Sequence, residues 1–314
     1  MVCDKESQYS KKGRKMSIEV LSYPFSRGIT AFSTMRGVDV DVTDPYGGFS
    51  ICDYTGDDGN KVKMCRKELC DFLHIPLQNL IVPRQIHSSR VLVLSDEKID
   101  QTGENVYVQG VKNAQAQEVD AVVTTFTDVA LAINTADCVP ILLADSENGI
   151  IAAIHAGWRG LIGDVIVNTV VEMRKLQLAI AWRKEKGSDV RNGRGLLASE
   201  EAGKLQGAKL EVITAAIGPA ICAHCFETSD EIASSFASKF GSRFVSTNSV
   251  TGKRHVDLPA IAKSQLIACG VAENNVFDAR VCTKCNPHDF FSARNLGVRS
   301  GRVASVIMRN DRRM

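Results

Sequence analysis

Apolar positions change period several times along the 314-residue chain. From Met16 the stretch MSIEVLSYP alternates apolar and polar residues, and ITAFSTM at 29–35 reads as a strand. In KVKMCRKELCDFLHI, Val62, Cys65, Leu69, Phe72 and Leu73 recur at helical intervals, and Pro76 is expected to stop that helix. The runs NLIVPRQI, RVLVL, DAVVTTF, ALAINTA, VPILLAD and GIIAAIHA are rich in β-branched residues and parted by turn formers, which predicts strands. The pattern turns helical over 161–178 and strand-like in LEVITAAIGPAI, which enters a turn at Gly218-Pro219. Helices are expected at 228–240 and 258–269, and later strands in NVFDARVC and VASVIMR. Strand clusters with intervening helices, and no internal repeat, predict an α/β class with mixed rather than purely parallel sheets.

Three stretches break the pattern. Residues 1–15 are polar and lack periodicity, so a disordered lead is expected before a single domain over 16–314. The Gly- and Asp-rich segment from Arg36 to Asn60 reads as a long functional loop, and polar residues 183–207 as a surface insertion. Composition adds exclusions. A 44% hydrophobic, 24% charged chain can bury a substantial core, and a net charge of +2 gives no global attraction to nucleic acid or membrane. No run approaches the ~18 apolar residues of a spanning helix, and the polar, basic N-terminus lacks the apolar core of a secretory signal. Ten cysteines are too sparse for a disulfide scaffold at this length, so thiols are read as buried, catalytic or metal-binding, and a cytoplasmic location is expected.

Candidate chemistry gathers at predicted strand ends. His87 follows LIVPRQI, Cys138 ends ALAINTAD, and His155 ends GIIAAI just before AGWRG. Two imidazoles and a thiolate make a three-ligand zinc set with an open fourth position, which is catalytic rather than structural in character. Ligands this far apart follow no spacing rule, so a rival stays open: a metal-free cysteine hydrolase or deamidase with Cys138 as nucleophile and His155 as base. His87 separates the two, because a dyad has no need of a second histidine. Cys222-Ala-His-Cys225 and Cys282-Thr-Lys-Cys285 form two C-x-x-C pairs. Their separation far exceeds the roughly 15–20 residues of a compact zinc ribbon, so a second zinc would need a long crossover. Otherwise they are buried thiols or a redox-sensitive cluster.

The ordered blocks RQIHSSRV (84–91), NTADCVPILLAD (134–145), AAIHAGWRGLIGDV (152–165), AAIGPAICAHCFE (215–227) and CTKCNPHDFFSARN (282–295) carry a resemblance. With Asp53–Asp58, VDL at 256–258 and GR at 301–302, they make the chain similar to the laccase-domain, polyphenol-oxidase-like family of zinc-dependent purine nucleoside phosphorylases. The resemblance implies a four-layer α/β/β/α fold and zinc on His87, Cys138 and His155. It further implies phosphorolysis of adenosine, inosine and S-methyl-5'-thioadenosine with inorganic phosphate, and adenosine deamination as a second activity. Ser50 and the Ala223-His224-Cys225 tract depart from the family pattern and put fine substrate preference in doubt, and the 183–207 insertion is atypical.

Phosphate calls for arginine, whose planar fork pairs with its oxygens; Arg36, Arg84 and Arg159 lie in or beside the matched blocks, each a phosphate ligand or a loop anchor. Asp137 would orient a histidine ligand or hydrogen-bond the purine, Trp158 would stack on a base or pack beneath the site, and Ser88 is polar beside a ligand. A multicopper laccase needs more histidines than the six present, although Cu2+ can replace Zn2+ at a single N/S site and give a copper-loaded polyphenol oxidase. The oligomeric state is left open.

Overall fold

A computed structural model describes residues 18–97, 104–110, 117–186 and 212–310. The lead at 1–15 and residues 187–207 of the expected insertion lie outside the described residues. In chain order the strands are β1 (Val20–Ser22), β2 (Ile29–Thr34), β3 (Leu80–Ile81), β4 (Val91–Leu94), β5 (Val106–Val108), β6 (Ala121–Thr124), β7 (Ala130–Thr135) and β8 (Val139–Asp145). They continue with β9 (Ile150–Ala156), β10 (Ile213–Ile217), β11 (Glu227–Thr228), β12 (Val245–Thr247), β13 (Arg254–Val256), β14 (Val276–Asp278) and β15 (Val303–Arg309). The helices are α1 (Gly59–Leu73), α2 (Trp158–Ile162), α3 (Val165–Lys186), α4 (Asp230–Phe240), α5 (Leu258–Ala268) and α6 (Ala293–Leu296).

Two mixed sheets dominate, ordered β1-β2-β15-β7-β3 and β14-β10-β8-β9-β6-β4-β5, with a small antiparallel sheet β11-β13-β12 beside them. The parallel pairs are β3 with β7, β4 with β5 and β6, and β10 with β14. Side-chain alternation places each strand residue in one of three apolar layers. Leu92, Leu94, Val122, Leu142, Ala144, Ile151 and Ala153 of the larger sheet meet Ala31, Leu131, Ile133 and Ile307 of the smaller one. Their neighbours Val91, Val93, Ala121, Ile141, Leu143, Ala152 and Ile154 face the other way and pack with Ile166, Met173 and Leu176 of α3 and Ile261 and Leu266 of α5. On the outer face of the smaller sheet, Cys65, Leu69 and Leu73 of α1 cover Phe32, Ala130, Ala132 and Val306. The order is helix, sheet, sheet, helix. Burial on both faces is why these strands read as unbroken apolar runs rather than clean alternation.

Three boundaries differ from expectation. Helix α1 is capped by Asp58, whose carboxylate accepts the Asn60 and Lys61 N–H groups, but its last residue, Leu73, lies three positions before Pro76. His74 adopts a left-handed conformation (φ 57°) and its N–H closes on the Asp71 and Cys70 carbonyls, so a C-terminal cap and not proline ends the helix. Only Leu80–Ile81 of NLIVPRQI pairs as a strand. Pro83 has no N–H to continue a ladder, and the chain leaves the sheet there to form the segment bearing His87. Helix α3 runs to Lys186, so 183–186 extend a helix rather than open an insertion.

Candidate functional site

Strands β8, β9 and β6 are neighbours in the larger sheet, and the site is built at one of their shared ends. His155 lies opposite Pro140 near the end of β9, Cys138 directly precedes β8, and His87 arrives from the segment between β3 and β4. Their ligand atoms all lie within 4.8 Å of one another. Cys138 Sγ is 3.8 Å from His87 Nε2, and the two imidazole rings stand nearly edge-to-face with centroids 4.8 Å apart. His155 is buried, Cys138 half-buried and His87 exposed, so the cluster opens to solvent on one side. Gly157 makes room for it. A Cβ there would sit 2.9 Å from His87 Cδ2 and 3.2 Å from Cys138 Sγ.

The local backbone is strained where ligands are presented. His87 (φ 61°) and Asp137 (φ 88°) both lie at positive φ, which costs about 1–3 kcal/mol each for a non-glycine residue unless surrounding bonds hold it. Those bonds are present. Asp120, fully buried just before β6, accepts the His87 N–H at 2.9 Å on Oδ1 and the Ser88 N–H at 2.6 Å on Oδ2. Oδ2 also accepts from the Ser88 hydroxyl (2.7 Å) and the Ile86 N–H (3.3 Å). Asp120 Oδ1 further lies 2.7 Å from His155 Nδ1. That contact favours a proton on Nδ1, so that in the neutral ring Nε2 carries the lone pair, the arrangement that ligating histidines use.

Electrostatics follow from this packing. Burial pushes the Cys138 thiol up, but the charge of His155 and hydrogen bonds from His155 and His87 outweigh it and bring the thiol down to about 6. Burial likewise disfavours charged His155, yet Cys138 and Asp120 hold its pKa up at about 9. Burial opposes ionisation of Asp120, and its bonds to His155 and Ser88 nevertheless keep it below the usual carboxylate value. A thiolate and two imidazole nitrogens converging on one point, with the room made by Gly157, fit a divalent d-block ion.

The remaining sequence candidates divide. Ser88 acts through Asp120, as above. Asp137 touches neither histidine: its carboxylate accepts from Thr283 Oγ1 (2.7 Å) and the Arg294 N–H (2.8 Å), and its carbonyl accepts the Ile221 N–H (2.9 Å). Orienting a ligand histidine therefore falls to Asp120, which sequence reading passed over; its only signal was a carboxylate directly before the apolar run AVVTTF. Arg36 is corrected to a loop anchor. Its guanidinium is buried and donates to the carbonyls of Gly47, Val42, Pro287, Asp41 and Asp44, leaving no N–H for phosphate. Arg84 is exposed and pairs at 3.5 Å with exposed Glu118. Arg159, also exposed, lies over the Trp158 ring at 4.2 Å, and Trp158 itself packs against the core beneath α2. Cys222, Cys225, Cys282 and Cys285 form a second cluster, with sulfurs within 4.8 Å of one another. No helix among the described residues is long and apolar enough to cross a membrane.

The model of the family described as "Multi-copper polyphenol oxidoreductase laccase" matches residues 30–182 and 198–310. An adenosine deaminase from an unknown prokaryotic organism is 36% identical over 301 residues, covering 94% of this chain and 99% of the relative. A purine nucleoside phosphorylase of Bacteroides thetaiotaomicron is 32% identical over 266 residues, covering 84% and 85% of the two chains. Among solved structures, a protein of Neisseria meningitidis superposes with a TM-score of 0.68 at 25% identity, covering 94% of this chain and 99% of its own.

Proposed function

We propose that this chain, which belongs to the multi-copper polyphenol oxidoreductase laccase family, is a zinc-dependent purine nucleoside phosphorylase that also deaminates adenosine. Relatives named purine nucleoside phosphorylase and adenosine deaminase support an enzyme acting on purine nucleosides. The observation that carries the reading is the convergence of His87, Cys138 and His155, with Asp120 fixing the His155 tautomer. When bound there, zinc supplies Lewis acidity at a position open to substrate. Adenosine, inosine and S-methyl-5'-thioadenosine are the proposed nucleosides.

The chain's own groups divide the remaining work. Phosphorolysis joins a phosphate oxygen to the anomeric carbon as the purine leaves, so phosphate must be held beside the nucleoside. Arg159 and Arg84 present exposed guanidinium groups for that, and Arg36 does not. Asp120 holds a proton on His155 Nδ1, so that Nε2 is the nitrogen that would give up its proton to a metal, and the clamp on Asp137 holds the backbone that bears Cys138.

One observation favours a second reading. The depressed Cys138 thiol beside a protonated His155 is the charge state of a cysteine nucleophile, as a metal-free hydrolase or deamidase would use it. Copper on the same three ligands, giving a polyphenol oxidase, is the alternative loading; six histidines do not build a multicopper set.

Purified protein of known metal content, incubated with adenosine with and without phosphate, tests the proposal. Phosphate-dependent adenine from zinc-loaded protein, lost in Cys138→Ala and His87→Ala, is expected. Inosine formed without phosphate makes deamination the principal chemistry. Conversion of no purine, with metal content unchanged in His87→Ala, overturns the zinc reading and leaves the Cys138–His155 hydrolase.

A further inference from the structure

The two C-x-x-C pairs, separated by 60 residues, are joined by strand register. Strands β10 and β14 run parallel with Ala215 opposite Val276 and Ile217 opposite Asp278, and a further bridge pairs Ala220 with Cys282. The Ala220 N–H reaches the Val281 carbonyl (3.1 Å) and the Thr283 N–H the Ala220 carbonyl (3.2 Å). Each strand then ends in a C-x-x-C turn, and the two turns meet. The N–H groups of Cys225 and Phe226 close on the Cys222 carbonyl, and that of Asn286 on the Cys282 carbonyl. Side chains pin both turns: His255 Nδ1 lies 3.1 Å from the Ala223 carbonyl, and Asn295 Nδ2 donates to the Lys284 carbonyl at 2.8 Å.

We propose that Cys222, Cys225, Cys282 and Cys285 bind a structural zinc ion, separate from the His87–Cys138–His155 centre. Four sulfurs on a tetrahedron of ~2.3 Å zinc–sulfur bonds stand roughly 3.8 Å apart. All four Sγ atoms here lie within 4.8 Å of one another, and the Cys225–Cys285 pair is 3.4 Å apart. The backbone N–H groups of Cys222 (3.3 Å) and Cys285 point at Cys282 Sγ, a pattern that stabilises thiolate. Four soft donors, joined by no His, Asp or Glu among the described residues, make a closed set, which is structural in character and selects zinc over the hard cations.

The site has a consequence for the other centre. Ile221, next to Cys222, donates its N–H to the Asp137 carbonyl, and Thr283, next to Cys282, donates its hydroxyl to the Asp137 carboxylate. Asp137 directly precedes Cys138. The zinc fastens together the two segments that clamp the backbone of the Cys138 ligand.

Metal content of the full chain, purified under reducing conditions, tests this. Wild type is expected to hold one zinc per chain more than the Cys225→Ser/Cys285→Ser double variant, which unfolds at lower temperature. His87→Ala is expected to keep that zinc and lose the other, so failure of either site is read separately. Cys285→His retains a zinc donor and is expected to restore metal and thermal stability. Cobalt-substituted His87→Ala, with all four cysteines intact, is expected to show the intense sulfur-to-metal absorption of a tetrathiolate site. The proposal is overturned if the double variant retains wild-type zinc, if cobalt gives no such absorption, or if peptide mapping finds a Cys225–Cys285 disulfide in place of metal.

Discussion

Replacing Asp120 with asparagine keeps its shape and removes its charge, which makes it the sharpest test of how the centre is held. The carboxylate uses Oδ1 for His155 and the His87 N–H, and Oδ2 for the N–H groups of Ser88 and Ile86 and the Ser88 hydroxyl. Asparagine has a single acceptor oxygen, so one of these groups must face an amide NH2. If the oxygen takes the Oδ1 place, the partly buried N–H groups of Ser88 and Ile86 both lose their partner, at up to about 1–3 kcal/mol each. If it takes the Oδ2 place, only the His87 N–H is orphaned, because His155 Nδ1 can give up its proton and accept from the amide. That second arrangement is cheaper, and it moves the imidazole proton to Nε2, the atom that should donate to the metal. Unfolding of the metal-free variant is therefore expected to cost about 1–3 kcal/mol less than wild type, the penalty for the one orphaned donor. Zinc affinity is expected to fall about 10–100-fold, the usual effect of losing a hydrogen-bond partner behind a ligating histidine. Competition against a chromophoric chelator measures the affinity, and chemical unfolding of the stripped protein measures the stability. A folded Asp120→Asn protein that binds zinc as tightly as wild type refutes both the tautomer assignment and the role of Asp120.

Gly157→Ala drives a methyl group toward His87 Cδ2 and Cys138 Sγ, at 2.9 and 3.2 Å. Loss of metal and of activity with near-normal far-UV circular dichroism is expected, and full metal occupancy would show that the cluster has slack. In chelator-treated protein, the rate of Cys138 alkylation is expected to rise through pH of about 6, because His155 and His87 favour the thiolate despite burial. A rise only near the ordinary thiol value, followed by peptide mass analysis, would refute that ion pairing. Arg36→Ala removes the hydrogen bonds of a buried guanidinium to the carbonyls of Gly47, Asp44 and Pro287 and its contact with the Phe291 ring. A loss of at least about 1.5–3 kcal/mol in unfolding free energy is expected, the contribution of a single hydrogen bond to a charged group. A specific rise in the phosphate KM at unchanged stability would return Arg36 to the phosphate site. Arg159→Ala, by contrast, is expected to raise the KM for phosphate with little change in Tm, since its guanidinium is exposed.

The layered architecture was legible because long apolar runs over 121–156 and the helical spacing over 161–178 leave few alternatives. The short strands β11 to β13 were not, since two or three residues define no period. The blocks around His87, Cys138 and His155 singled them out as candidates whose ligand atoms the structure brings together, and spacing alone left them indistinguishable from a cysteine–histidine dyad. Asp120 was missed because its role depends on β6 pairing with β9, where Ala121 lies opposite Ile154 and the Asp120 carbonyl accepts the His155 N–H at 2.7 Å. The same limit applies to the paired C-x-x-C turns. Sequence separation argued against their meeting, and the parallel β10–β14 register brings them together regardless. Arginines were the weakest ground, because a guanidinium satisfies loop carbonyls as readily as phosphate oxygens.

The face on which the site lies follows from the same alternation that builds the core. His155 shares parity with Ile151 and Ala153, Asp120 with Val122, and Cys138 with Leu142 and Ala144, all of which point between the two sheets. Polar groups on that face within the sandwich would be buried without solvent, so they are tolerated only at the strand ends, where each finds a partner. The centre is then held from two independent sides. Asp120 fixes the imidazoles through His87 and His155, while the 221 and 283–294 segments fix the thiolate through Asp137. In the proposed enzyme, both clamps hold the three side chains from the protein side, and exposed His87 marks the side by which a substrate would enter.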